Sequence, residues 1–174
     1  MPDNIVLFLI VLFFAIVILS AIVYNIMRFM RGSIRLELPG TTFNPGEKVR
    51  GSFNLHTRRT IQGNKLIVNL IGEQVTETRE RGESRTRSTE IYRDEKLIED
   101  ARVYPGSLNT KYVFDITLPD THSSDFLTSP VGRILSAAMR FTGNRHTYLR
   151  WKIEVRLEAK GIDLTTSKLI KFNV

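Results

Sequence analysis

The sequence predicts an all-β protein: one antiparallel β-sandwich, preceded by a transmembrane helix and interrupted by one short amphipathic helix. Three observations predict it. From Asn4 to Met27 there is no charged side chain. From Ser33 onward, apolar residues recur at every second position with turn residues between the runs, which is the period of half-buried strands. Only residues 131–142 carry helical spacing instead. The expected organisation is a transmembrane helix over 4–28, a juxtamembrane linker over 29–32 and a sandwich domain over 33–174.

The first element follows from uniform apolarity. The run from Ile5 to Leu19 continues through Ile22, Val23 and Ile26. A helix of about 23 residues rises ~35 Å, against ~30 Å for a hydrocarbon core. A cleaved signal peptide is the competing reading, but it needs a basic start and a shorter apolar stretch, and Met-Pro-Asp-Asn has neither Lys nor Arg. Asp3 is the only charged side chain before the run, whereas Arg28, Arg31 and Arg35 follow it, with Tyr24 suited to the interface. The positive-inside rule therefore places a single-pass protein in the cell membrane, with its C-terminal domain in the cytoplasm. Those arginines would face anionic headgroups.

Strands follow in order. Ile34, Leu36 and Leu38 alternate with Arg35 and Glu37 until Pro39-Gly40 breaks the run. After Asn44-Pro45-Gly46, Val49, Gly51, Phe53 and Leu55 oppose Lys48, Arg50, Ser52 and Asn54, giving one buried and one wet face. A turn is expected at Gln62-Gly63-Asn64. Leu66, Val68 and Leu70 then lead a long strand whose other face carries Ile67 and Ile71, so both faces are expected to be covered. Between Arg79 and Thr89 the chain has no apolar residue and mixes Arg79, Arg81, Arg85 and Arg87 with Glu80 and Glu83. This reads as a long solvated hairpin tip. The interspersed acids and the missing aromatics argue against a nucleic-acid track.

Ile91 to Ile98 gives a further strand, and Pro105-Gly106 a turn. Tyr112, Phe114, Ile116 and Leu118 form another inward set, ended by Pro119. Leu149, Trp151, Ile153, Val155 and Leu157 alternate with Arg150, Lys152, Glu154, Arg156 and Glu158, the clearest strand in the chain. Gly161 permits the turn into the last strand, ending in Ile170, Phe172 and Val174. About seven strands at this spacing imply two antiparallel sheets packed face to face. Between them, Ser129-Pro130 reads as a helix start and Gly143 as its end. Val131, Ile134, Leu135, Ala138 and Met139 share one face of that helix, with Arg133 and Arg140 opposite. It either covers one end of the sandwich or lies on a membrane surface.

The order of these signals resembles the amino-terminal domain of the arrestin fold superfamily, over about Ser33 to Val174. The residues carrying the resemblance are Asn44-Pro45-Gly46-Glu47 with Val49 and Gly51, then Val68-Asn69-Leu70-Ile71-Gly72-Glu73. Tyr112-Val113-Phe114-Asp115-Ile116-Thr117-Leu118-Pro119 and the strand Leu149 to Leu157 complete it. The resemblance implies a curved arrestin-like, immunoglobulin-like sandwich acting as an adaptor or scaffold without an enzymatic site. Arrestins join two such domains, whereas this chain has room for one, so phosphoreceptor sensing does not transfer. The N-terminal helix and the insertion around 130–143 also stand outside the family pattern, and suggest a subunit of a larger membrane assembly.

No residue is nominated for catalysis, cofactor binding or metal binding. The chain has no cysteine, which removes thiol catalysis and thiolate sites. His56 and His146 are isolated. Asp120, His122 and Asp125 are a polar loop of a kind common by chance. Phosphate-loop, nucleophile-elbow and zincin motifs do not occur. The expected function is a non-enzymatic, membrane-anchored adaptor or accessory subunit that binds a protein partner through its sandwich and needs no cofactor. The alternative is an anionic-lipid-binding surface module. Candidate partner or lipid contacts are Arg79, Arg81, Arg85, Arg87, Arg133, Ile134 and Arg140.

Overall fold

The computed structural model describes residues 2–80, 83–120, 128, 132 and 145–173, with side chains described for all of these except 2–7, 10–11, 24–29, 79–80, 83 and 145–146. One helix, α1 (Pro2–Arg31), leads into β1 (Gly32–Glu37), β2 (Thr42–Phe43), β3 (Lys48–Thr57), β4 (Ile61–Glu80) and β5 (Glu83–Glu99). Then follow β6 (Arg102–Tyr104), β7 (Asn109–Thr117), β8 (Arg145–Ala159) and β9 (Leu164–Phe172). Three strands form one sheet in the order β1-β3-β7. The other runs β2-β9-β8-β4-β5, with β6 added alongside β4. Every pairing is antiparallel except the short β2–β9 contact.

The core lies between the sheets, where the alternation places it. Leu36, Val49, Phe53, Leu55, Phe114 and Ile116 from the smaller sheet meet Leu66, Val68, Leu70, Trp151, Ile153, Val155 and Leu157 from the larger. Trp151 is 4% exposed. Its ring stacks on Phe172 at 5.0 Å and meets Tyr92 edge-on at 5.4 Å. Gly72 opposes it in register, and a Cβ there would stand 2.8 Å from the indole, so only glycine leaves room for the ring. The reverse face of β4 is covered as well: Ile67, Asn69, Ile71 and Val75 are all buried.

Two expectations are corrected, the membrane span and the turn at Gln62-Gly63-Asn64. The transmembrane helix over 4–28 does not stand, because among the described residues no helix is long and apolar enough to cross a membrane. α1 does expose apolar side chains, Phe13, Phe14, Ile18 and Leu19 among them. At the segment expected as a linker, 29–32, α1 ends at Arg31 and β1 starts at Gly32. The turn expected at Gln62-Gly63-Asn64 lies inside β4 as a register shift between Gly63 and Lys65. Here Gly63 makes space for the Tyr104 ring, which a Cβ would approach to 2.5 Å. The solvated hairpin expected around 79–89 is present: β4 and β5 stay paired as far as Glu80 opposite Glu83, and residues 84–90 are exposed.

Candidate docking surface

β4 and β5 form a hairpin whose far half, from Glu73 and Glu90 outward, is also paired with β8 through Thr78 opposite Arg145. The result is a three-stranded arm. Its base is held by one carboxylate. Period two on β4 turns Glu73 to the reverse face, beside Arg150 and Lys152 of β8. Arg150 donates to Glu73 Oε2 through Nε at 3.0 Å and Nη2 at 2.6 Å, Lys152 donates to Oε1 at 2.6 Å, and Ser88 of β5 donates to Oε2 at 3.1 Å. The Glu73 side chain is 12% exposed. Burial works to raise its pKa, but the hydrogen bonds from Lys152 and Arg150 outweigh it and hold the carboxyl at about 2. One group thus ties all three strands of the arm together. Further out, Tyr148 donates to Glu77 at 3.1 Å.

Two clasps fix the other half of β5 to the smaller sheet. Lys96 donates to the Asp115 carbonyl at 2.8 Å and to its carboxylate, which also meets Lys48 at 2.6 Å. Lys48 and then Lys96 hold that carboxyl well below the usual carboxylate range. At the end of β5, Glu99 Oε2 accepts from Tyr104 at 2.9 Å and from Tyr112 of β7 at 3.0 Å, while Arg102 donates to Oε1 at 2.6 Å. Burial, followed by the Glu99 carboxylate, pushes the Tyr112 hydroxyl up to about 12.

What the clasps leave open is the outer edge of β5 from about Ser84 to Asp94. β5 stands at the end of its sheet, and among the described residues its ladder partner is β4 alone. Residues 84–90 are all exposed. The Ile91 bulge, between Glu90 opposite Glu73 and Tyr92 opposite Gly72, lies midway along this edge.

The candidate contacts distribute unevenly. Arg85 and Arg87 lie on this edge, exposed. Arg79 has its backbone in β4, opposite Ser84, with its side chain outside the described set. Arg81, Arg133, Ile134 and Arg140, with the amphipathic helix expected at 131–142, lie outside the described residues. So do the Tyr24 and Arg28 side chains. Arg35 is exposed on β1, across from Asn54. Arg31, expected beside lipid, is bonded to the turn between β8 and β9. It donates to the carbonyls of Ile162 at 2.7 Å and Lys160 at 2.8 Å, while its own carbonyl accepts from Arg58 N–H at 2.8 Å. His122 and Asp125 are outside the described set too. Glu73, Lys96 and Glu99 were not anticipated, since their roles depend on cross-strand register.

No family description and no curated protein matches the sequence. Among solved structures, the chain is similar to Spo0M, a sporulation control protein from Bacillus subtilis. The TM-score is 0.54 and the identity 15%, over 83% of this chain and 50% of that one. A second likeness, to the alkylpurine DNA glycosylase AlkC of Pseudomonas fluorescens bound to DNA containing an abasic site analog, has a TM-score of 0.40 and 14% identity, over 83% of this chain and 31% of that one. It carries no argument. The chain spans half the length of Spo0M, and that likeness speaks for the fold alone. It supports the arrestin-like β-sandwich expected from the sequence.

Proposed function

We propose that this protein is a non-enzymatic scaffold that holds a protein partner by adding a strand to the free edge of β5. The observation carrying the proposal is that edge: a strand of 17 residues, paired among the described residues with β4 alone, whose far half is tied to β4 and β8 through Glu73. An exposed edge offers a row of N–H and C=O groups to an extended segment, and alternate side chains set which segment fits. The polar chemistry found is consistent with this role. Glu73, Glu99 and Asp115 are each engaged by neighbouring side chains of the fold, so they act as braces. The lipid alternative has lost one support, because the Arg31 guanidinium is bonded to the β8–β9 turn.

The test shortens the arm. Glu77 and Thr86 are direct partners, so an Asn-Gly pair can replace residues 78–85 as a two-residue hairpin turn. Folding should be kept and capture of the native partner lost. Capture equal to that of the full-length hairpin would refute the proposal.

A further inference from the structure

The charges along the free edge of β5 are divided into halves. Ser84 to Thr89 holds Arg85 and Arg87 and no acid, whereas Glu90 to Glu95 holds Glu90, Asp94 and Glu95 against Arg93 alone. Arg93 is bonded to Glu90 at 2.7 Å and Glu95 to Lys65 at 2.8 Å. Asp94 is exposed, with no cation bonded to it among the described residues. Charged side chains are one device that protects an edge against association, because like charges brought together repel. A strand with a basic half and an acidic half does the reverse when it meets itself antiparallel, because each half lies against its opposite.

Resting on the reading of β5 as a docking edge, we propose that the partner is a second copy of this chain, paired β5 to β5 about a twofold axis. The register follows from three constraints. Residues facing the same side of the sheet must meet, since an axis perpendicular to the sheet preserves its faces. On β5, Arg85 and Arg87 lie opposite Thr78 and Thr76, on the face of β4 that alternates with Glu73. Tyr92 and Asp94, opposite Gly72 and Leu70, lie on that same face beyond the bulge. Like charges must not be opposed, and Lys96 must remain on Asp115. These conditions are met when Arg85 of each copy faces Asp94 of the other, with Arg87 over Tyr92 and Thr86 beside Arg93. The Ile91 bulge then falls near the axis, and pairing runs as two arms on either side of it. An isologous contact repeats each pair, so the Arg85–Asp94 contact occurs twice.

The symmetry supplies a decisive experiment. The full chain in detergent, which keeps the apolar α1 in solution, is examined by size-exclusion chromatography with light scattering. Wild type is expected as a dimer that weakens as salt is raised. Arg85→Glu opposes two acids twice, and Asp94→Arg opposes two arginines twice, so each variant alone is expected to be monomeric. Mixing the two should restore a heterodimer. The carboxylate introduced at position 85 of one chain then faces the guanidinium introduced at position 94 of the other, while the unaltered Asp94 and Arg85 still face each other. A monomeric wild type, a single variant that stays dimeric, or a mixture that stays monomeric each overturns the proposal. The broader reading fails by a different result: partner capture undiminished in the chain with the shortened hairpin.

Discussion

Replacing Glu73 by Gln keeps the shape of the side chain and removes its charge, which isolates what the carboxylate does for the arm. The carboxyl is held at about 2 rather than its ordinary 4.5, a preference of the fold for the charged form of on the order of 3 kcal/mol. Arg150 and Lys152 are 39% and 23% exposed, so water recovers part of that once the anion is gone. The expected loss at neutral pH is about 2 kcal/mol. A carboxyl with a lowered folded-state value stabilises above its unfolded value, and loses that contribution as pH falls from 4.5 through about 2. Wild type should therefore exceed Glu73→Gln by about 2 kcal/mol at pH 7, with more than half of the difference gone by pH 3. Urea unfolding followed through Trp151, the single tryptophan, gives both values by linear extrapolation. A difference below about 0.5 kcal/mol at pH 7, or one that does not change with pH, would refute the assignment of Glu73 as the brace.

Two further outcomes are expected. Trp151→Ala should cost about 3 to 5 kcal/mol in the same unfolding assay, since a fully packed ring leaves a cavity between Phe172 and Tyr92; a loss under about 1 kcal/mol would place the ring outside the core. Gly161→Ala should destabilise by about 1 to 3 kcal/mol, because its φ is +98° and a Cβ would stand 2.8 Å from the Arg31 guanidinium. In an Arg31→Ala background the steric part disappears while the backbone part stays, so a double-mutant cycle with no coupling would contradict the contact.

The sandwich was legible because its two faces differ chemically. Leu149 to Leu157 alternates so strictly that the inward set, Trp151, Ile153, Val155 and Leu157, is also the buried set. The second buried face of β4 was legible from Ile67 and Ile71. What escaped was determined by neighbours far away in sequence. β6 has three residues and exists because Gln62 and Gly63 lie opposite Val103 and Arg102, which no local pattern encodes. The turn expected at Gln62-Gly63-Asn64 failed for the same reason: Gly63 is there for the Tyr104 ring, not for a reversal. The charged end of the β4–β5 hairpin was legible from its lack of apolar residues, whereas the pairing of β8 alongside it, as far as Thr78 opposite Arg145, was not.

The braces and the docking edge sit at opposite ends of this scale. Glu73, Lys96 and Glu99 are single charged residues among many, and nothing local separates them from solvated ones. Only register brings Glu73 beside Arg150, or Glu99 beside Tyr112, so a sequence reading has no means of ranking them. Arg31 shows how a distant segment enters the reading of a local one. Its position after an apolar run invited a reading from the flanking rule, yet the carbonyls of Lys160 and Ile162, more than a hundred residues away in the chain, compete for the same guanidinium. Arg85 and Arg87 were visible from the start as charges without apolar company, but their meaning changed with the topology. On a loop tip they would be adaptable contacts at some entropic cost. On a braced edge strand, they are fixed in spacing and direction, which lets a basic half and an acidic half of one strand select a partner by register as well as by sign.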